Sequence, residues 1–129
     1  MVKHGFKQLL AEANARIASV SVSEAMSLVN DPNVVFVDVR ETIELQKAGV
    51  IEGAVHAPRG FLEFIADPES PMHNPVLASG KKLVVYCASG GRSTFAVRTL
   101  LDMGVPNVIN LTGGFAAWKQ AGGATGRID

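Results

Sequence analysis

Two short apolar runs, each followed by a helical pattern, constrain the fold of this chain more than any other feature. They are "NVVFVDV" at residues 33–39 and "KKLVVYC" at residues 81–87. Short, nearly continuous runs of this kind are typical of strands that are covered on both faces. Because the strands alternate with helical segments, the sequence predicts an α/β domain with a largely parallel central sheet and helices on both faces.

The rest of the chain continues this alternation. Apolar residues from Phe6 to Ile17 fall at helical spacing and predict an amphipathic helix over residues 6–18, packed on the domain. Ser21 and Glu24 have the spacing of a capping box, which predicts a second helix that ends near Asp31 and Pro32. Further helices are predicted over residues 40–49, 60–67, 93–104 and 113–122, extended segments over 53–58 and 105–111, and a loop over 68–80.

A chain of 129 residues has the size of one domain, and its 12 basic and 12 acidic residues balance. We expect residues 1–19 to form a helical extension and residues 20–129 to form the domain. The charge balance argues against general binding to nucleic acid or to a membrane surface.

The cysteine and histidine content limits the kinds of site that the chain can hold. Its single cysteine, Cys87, excludes an internal disulfide and a cysteine-rich metal site, and the three histidines lack metal-ligand spacing. No apolar stretch has the length of a signal peptide or of a membrane span. We therefore expect a cytoplasmic protein without a metal or another cofactor.

The loop "CASGGRS" at residues 87–93 stands where the second strand passes into a helix. Ligands bind at the carboxyl ends of the strands in parallel sheets. A loop there can direct several backbone N–H groups and the positive end of a helix dipole at one centre. Gly90 and Gly91 would let the backbone turn inward without an obstructing side chain. Because such surroundings lower the pKa of a thiol, Cys87 is predicted to be a reactive thiolate rather than an inert buried residue.

Two classes of enzyme use a cysteine cradle of this kind. In cysteine-dependent phosphatases, five residues separate the cysteine from an arginine, and the loop wraps the free oxygens of a phosphoryl group. Here four residues separate Cys87 from Arg92, which either adds positive charge at the rim or braces the loop. The shorter loop favours a ligand smaller than phosphate, with a phosphatase or arsenate reductase as an alternative.

Three stretches, in order, resemble the motifs of the rhodanese-like sulfurtransferases. "VVFVDVRETIELQKAGVIEGAVHAPRG" resembles the early motif, in which a strand ending in Asp-x-Arg leads to a helix, a Gly-Ala pair and a proline. "VVYCASGGRS" resembles the cysteine loop, and "VINLTGGFAAWKQAG" the late motif with its double glycine and tryptophan. The resemblance covers about residues 20–123 and implies a single rhodanese-like domain. Val50-Ile51 replaces the usual His-Ile pair, and Ala88 stands where arginine is often found.

The resemblance implies sulfur transfer by double displacement. The Cys87 thiolate would take the outer sulfur of a donor such as thiosulfate, release sulfite, and pass the sulfur from a persulfide to cyanide or a cellular thiol. Backbone N–H groups would bind the anionic sulfur. The predicted substrate-binding residues are those that follow the cysteine: Ala88, Ser89, Gly90, Gly91, Arg92 and Ser93. The alternative from another class is a sulfur carrier that serves a protein partner in a sulfur relay.

Residues outside the loop are expected to be mainly structural. Asp38 and Arg40, at the end of the first strand, should brace neighbouring loops behind the site. Arg59 should be exposed or face the mouth of the pocket, and His56 should make a structural hydrogen bond. Phe115 and the tryptophan after it should lie in the core, following a glycine pair that makes a tight turn. The apolar residues of "GFLEFIAD" should also pack in the core, with a partner surface as the alternative.

Overall fold

The computed structural model describes residues 2–128 and confirms the α/β fold. The strands are β1 Ser19–Val20, β2 Val34–Asp38, β3 Val50–Ile51, β4 Val55–His56, β5 Lys82–Tyr86, β6 Val108–Leu111 and β7 Thr125–Gly126. Five of them form a parallel central sheet in the order β1-β6-β5-β2-β4. β3 and β7 pair in antiparallel fashion as a second, two-stranded sheet.

Helices precede, separate and follow the strands of the central sheet. They are α1 Phe6–Arg16, α2 Val22–Met26, α3 Thr42–Ala48, α4 Leu62–Ala66, α5 Gly91–Asp102 and α6 Gly114–Gln120, with 3-10 turns at Arg59–Phe61 and Pro75–Ala78. The longest α-helix has 12 residues. Within the described part of the chain, no helix combines the length and the apolarity that crossing a bilayer requires.

The central sheet is covered on both faces, as predicted. In β5, Leu83 and Val85 point to the face covered by α4 and α5, whereas Val84 and Tyr86 point to the face covered by α6. Side chains alternate in this way in any strand. Because both faces are buried, the central strands are apolar along most of their length, which explains why the sequence indicates them clearly.

The register of the two central strands places the functional loop. β2 and β5 pair in parallel from Val34 with Lys82 to Asp38 with Tyr86. Their carboxyl ends are therefore level, and Cys87 follows in the middle of that edge of the sheet. Ligand sites in open parallel sheets lie at this edge.

Three of the four two-residue strands, β1, β3 and β7, differ from the predicted elements, whereas β4 lies in a predicted extended segment. Two residues show no period, and these strands form because a partner is available, β6 for β1 and β7 for β3. The capping box of Ser21 with Glu24 is confirmed. However, α2 ends at Met26, because the next N–H groups donate to carbonyls three residues back, as in a 3-10 turn.

Two predicted apolar stripes are only partly buried. Phe6 is 68% exposed, because α1 packs mainly on α5 and is fully covered only at Ala13. Leu62 of α4 is buried, but Phe61 and Phe64 are 51% and 54% exposed, since they lie on the outer side of the same turn. The prediction of core packing is therefore wrong for Phe61 and Phe64, whereas α1 packs on the domain as predicted but leaves Phe6 largely exposed.

Candidate active site

Cys87 lies directly after β5, and the chain turns before α5 begins at Gly91. Residues 87–93 are called the cradle below. Gly90 has a φ of +116°, a backbone conformation that residues other than glycine rarely adopt. A Cβ added at Gly91 would meet no heavy atom of the described chain within 4 Å, and its φ is not positive. The predicted need for glycine therefore applies to Gly90 and not to Gly91.

The sulfur of Cys87 receives three hydrogen-bond donors from the cradle. The residue is buried, with 1% of its surface exposed. The N–H groups of Gly90 and Ser93 lie 3.1 and 3.4 Å from Sγ. The Ser93 hydroxyl lies 3.4 Å from Sγ and 3.1 Å from the carbonyl oxygen of Gly90. Sequence reasoning anticipated the backbone donors but missed the side-chain donor, because a serine in the first turn of a helix is common for other reasons.

Burial and hydrogen bonding act on the Cys87 thiol in opposite directions. Burial raises its pKa, whereas the three hydrogen bonds from Ser93 and Gly90 and the nearby N–H group of Ser89 lower it. The hydrogen bonds prevail, so the pKa of Cys87 lies below its ordinary value. The positive end of the α5 dipole acts in the same direction. The cradle therefore favours the thiolate, which is the nucleophilic form of cysteine.

The first turn of α6 holds the outer side of the cradle. The N–H group of Phe115 donates to the carbonyl oxygen of Cys87 at 2.8 Å, and that of Ala116 donates to the carbonyl oxygen of Ala88 at 3.0 Å. In a planar trans peptide, the N–H and C=O groups point in opposite directions. Holding these two carbonyls outward therefore turns the N–H groups of Ala88 and Ser89 toward the inside of the cradle.

Gly114 makes this contact between α6 and the cradle possible. Its φ is +60°, and a Cβ added there would lie 2.5 Å from the carbonyl oxygen of Cys87. The glycine pair was predicted to make a tight turn, and its second member also provides the room in which α6 reaches the cradle. Phe115 and Trp118, farther along the helix, are buried in the core as predicted.

A hydrogen-bond network of polar side chains fixes the Gly90 peptide. The Thr94 hydroxyl donates to the carbonyl oxygen of Gly90 at 2.7 Å and accepts from Nδ2 of Asn110 at 3.3 Å. Asn14 of α1 places its Oδ1 3.4 Å from the same hydroxyl. The N-terminal helix thus reaches a residue that supports the cradle. Sequence reasoning missed this network, because its three residues lie on three separate elements and form no local pattern.

Arg92 joins the cradle to α3. Its guanidinium group makes two hydrogen bonds of 2.8 Å with the carboxylate of Glu44. Hydrogen bonding to Glu44, together with attraction by the Cys87 sulfur, raises the pKa of Arg92. The same hydrogen bonds lower the pKa of Glu44 to about 2. Of the two roles weighed for Arg92, these contacts favour bracing, and Glu44 is a residue of the site that the sequence did not indicate.

Asp38 and Arg40 form a buried ion pair at the end of β2. Nη2 of Arg40 donates to Asp38 at 2.6 Å and to the carbonyl oxygen of Gly49 at 2.7 Å. The guanidinium carbon lies 4.4 Å from the ring centre of Phe115 and 5.8 Å from that of Tyr86. The contacts therefore tie together β2, the end of α3 and the first turn of α6.

Arg59 and His56 contact other parts of the fold. The guanidinium of Arg59, whose side chain is 32% exposed, donates to Glu63 at 3.0 Å and to Thr99 at 3.3 Å. Nε2 of His56 lies 2.7 Å from the carbonyl oxygen of Arg40. These contacts join Arg59 to α4 and α5 and give His56 a structural hydrogen bond, and none of them involves the cradle.

The chain is similar to known proteins over most of its length. The rhodanese-like domain family matches residues 21–121. A solved structure from Rhodopseudomonas palustris, described as a protein of unknown function and possible tyrosine phosphatase, is 40% identical with a TM-score of 0.94, over 98% of this chain and 97% of that one. The polysulfide-sulfur transferase homodimer of Wolinella succinogenes is 27% identical with a TM-score of 0.71, over 96% of this chain and 88% of that one. A sulfurtransferase of Allochromatium vinosum is 31% identical over 102 residues, which are 78% of this chain and 87% of that protein.

The curated relatives differ in length. This chain spans 58%, 87% and 66% of three of them, so the longer ones contain sequence beyond the shared region. Two of the relatives named above associate the family with sulfur transfer. The family match includes the cradle, the central strand before it and the glycine pair that starts α6. On these grounds the chain belongs to the rhodanese-like domain family.

Proposed function

We propose that this chain is a sulfurtransferase that moves a sulfane sulfur from a small donor, such as thiosulfate, to a thiophilic acceptor through a persulfide on Cys87. The observation that carries the proposal is the convergence of three cradle donors on one buried sulfur. The relatives named sulfurtransferase and polysulfide-sulfur transferase support the same class of reaction.

The proposed reaction consists of two displacements at sulfur. The Cys87 thiolate attacks the outer sulfur of thiosulfate, a new S–S bond forms, and the electron pair of the old S–S bond leaves with sulfite. An acceptor thiolate or cyanide then attacks the outer sulfur of the persulfide and returns the electron pair to Cys87. Neither step needs a proton transfer, which is consistent with the engagement of His56 by a backbone carbonyl.

The cradle would stabilise negative charge at both stages. Gly90 and Ser93 donate to the sulfur of the free thiolate. In the persulfide, the charge moves to the outer sulfur, where the inward N–H groups of Ala88 and Ser89 would provide donors. Fixed donors of this kind act as an oxyanion hole does in acyl transfer.

Intact-mass measurement after incubation with thiosulfate tests the proposal. The protein should gain the mass of one sulfur atom, and Cys87→Ser should gain none. Addition of cyanide should return the protein to its original mass and produce thiocyanate. If neither thiosulfate nor an organic sulfane donor adds sulfur, the proposal is wrong.

A phosphatase is the second candidate, because the 40% identical Rhodopseudomonas palustris protein is described as a possible tyrosine phosphatase. Two features weigh against it. Only four residues separate Cys87 from Arg92, and the guanidinium that would bind phosphate is held by the Glu44 carboxylate. We expect no hydrolysis of 4-nitrophenyl phosphate above that of Cys87→Ser. Hydrolysis that depends on Cys87 would favour the phosphatase instead.

The acceptor in this proposal is a cellular thiol or a protein of a sulfur relay. A persulfide that resists small thiols but is discharged by one protein partner would identify the chain as a carrier rather than a turnover enzyme.

The free thiol of Cys87 suits a reducing compartment, and we propose a cytoplasmic location. The family match begins at residue 21, which supports a domain from residue 20 with residues 1–19 as its extension.

A further inference from the structure

A cavity of about 330 Å³ lies beside the cradle, on the side of Ala88. Ala48, Ala88, Phe115 and Ala116 give it apolar walls. Ala88 directly follows Cys87, and its carbonyl oxygen accepts the N–H group of Ala116 at 3.0 Å. The cavity and the cradle therefore share Ala88, and an apolar space adjoins the residue that follows Cys87.

The charged side chains around this cavity almost cancel. Arg40 is paired with Asp38, and Glu44 is paired with Arg92. Lys47, also at the cavity, makes no ion pair within 4.0 Å among residues 2–128. Lys47 adds one positive charge and the Cys87 thiolate one negative charge, so the site carries no net positive charge. The charged side chains therefore add little attraction for a dianion such as thiosulfate to what the cradle N–H groups provide.

We infer that the preferred donors of this site carry the sulfane sulfur on an apolar organic group and bear at most one negative charge. Aryl and alkyl thiosulfonates and organic persulfides belong to this class. The inference rests on the proposed sulfurtransferase function. The organic group would occupy the cavity beside Ala88 while the outer sulfur meets Cys87, whereas thiosulfate would leave the apolar walls uncovered.

The chemical step is the displacement already described, with another leaving group. With a thiosulfonate, the Cys87 thiolate bonds to the outer sulfur, the bond from that sulfur to the sulfonyl group breaks, and the electron pair leaves with a sulfinate. With a neutral organic persulfide, the pair leaves with a thiolate, and the proton stays on the transferred sulfur. No oxidant or reductant is consumed in either case.

Three donors that carry the sulfane sulfur on a sulfonyl group test the inference. They are thiosulfate, methanethiosulfonate and benzenethiosulfonate, with cyanide as acceptor and thiocyanate as the measured product. Each kcat/KM is divided by the second-order rate constant for reaction of the same donor with a free thiol. This division removes differences in the intrinsic reactivity of the leaving groups. Benzenethiosulfonate should exceed methanethiosulfonate by about tenfold, as expected when a ligand group fills an apolar pocket, and thiosulfate should rank last.

A cavity-filling variant shows whether the apolar space is responsible. Ala116→Leu places a larger side chain in the cavity and keeps the backbone N–H group that contacts Ala88. It should lower kcat/KM for benzenethiosulfonate about tenfold more than for methanethiosulfonate. Ala121→Leu, exposed at the end of the same helix and outside the cavity, is the matched control and should change neither value.

A charge variant tests the electrostatic half of the inference. Glu44→Gln frees the Arg92 guanidinium from its ion pair, and the glutamine can still accept the N–H group of Glu41 that the carboxylate accepts at 2.8 Å. At low salt, it should raise kcat/KM for thiosulfate by about tenfold relative to methanethiosulfonate.

The outcomes separate the inference from the proposed function. If none of the three donors adds sulfur to Cys87, the sulfurtransferase function itself is wrong. If all three do, but thiosulfate equals or exceeds benzenethiosulfonate after normalisation, the inference is overturned and the function stands. An Ala116→Leu variant that lowers all three values equally would also overturn it.

Discussion

Replacing Gly114 by alanine brings a methyl group against the backbone of the cradle. The Cβ would lie 2.5 Å from the carbonyl oxygen of Cys87 and 2.8 Å from the carbonyl carbon and oxygen of Ala88. These are backbone atoms, so no flexible side chain can move aside, and α6 must withdraw or the cradle must shift. Either movement weakens the hydrogen bonds that Phe115 and Ala116 donate to the cradle.

Two contributions set the size of the Gly114→Ala effect. The φ of +60° adds left-handed strain of about 1–2 kcal/mol for a residue with a Cβ. Overpacking against a fixed neighbour costs about 1–3 kcal/mol. We therefore expect the free energy of unfolding to fall by about 2–5 kcal/mol, which is a large part of the roughly 5–15 kcal/mol of a typical domain.

Gly122→Ala provides a matched control at the other end of α6. Gly122 has a φ of +81°, but a Cβ there would meet no heavy atom of the described chain within 4 Å. The free energy of unfolding of Gly122→Ala should therefore fall only by the cost of left-handed strain, about 1–2 kcal/mol. Urea unfolding gives both values, and the pH dependence of Cys87 alkylation should show a raised pKa in Gly114→Ala alone. Equal losses in the two variants, with unchanged alkylation profiles, would refute the role given to Gly114.

Three further predictions concern other parts of the site. Ser93→Ala removes a donor that lies 3.4 Å from Sγ, so the pKa of Cys87 should rise and persulfide formation at neutral pH should slow about tenfold; an unchanged pH profile of alkylation would contradict this. Thr94→Val removes the hydroxyl that holds the Gly90 carbonyl at 2.7 Å and should cost about 1–3 kcal/mol in urea unfolding, whereas Thr94→Ser should retain most of the stability. Glu44 has a pKa lowered from 4.5 to about 2, so its ion pair with Arg92 stabilises the fold above pH 4.5, and this stabilisation is lost as the pH falls toward 2. Relative to Glu44→Gln, the wild type should lose up to about 1 kcal/mol of unfolding free energy between pH 4.5 and pH 2. Parallel curves of unfolding free energy against pH for the two proteins would count against the ion pair.

Local patterns explain which parts of the fold could be predicted. β2 and β5 are recognisable because burial on both faces makes them apolar, and the strand-to-helix junction after Cys87 follows from the pattern around it. The capping box of Ser21 with Glu24 lies within four residues and is confirmed. β1, β3 and β7 are too short to show a period and depend on partners that are distant in the sequence.

The supports of the candidate site could not be predicted, because they are contacts between distant segments. Glu44 and Arg92 are 48 residues apart, and Asn14 and Thr94 are 80 residues apart. Gly114 was recognised as part of a glycine pair, but its approach to the Cys87 carbonyl depends on the tertiary position of α6. The exposure of Phe61 and Phe64 likewise depends on which side of the segment faces the core, and a segment that is apolar at most positions does not indicate that side.

A single turnover with an isotopically labelled donor shows whether the transferred sulfur passes through Cys87. The donor carries the label in its outer sulfur, and the protein mass and the product are followed before and after addition of cyanide. Wild-type protein should gain one labelled sulfur atom on Cys87, and cyanide should release the whole label as thiocyanate, whereas Cys87→Ser should do neither. Labelled thiocyanate formed equally well by Cys87→Ser, or formed without a labelled protein intermediate, would contradict transfer through a Cys87 persulfide.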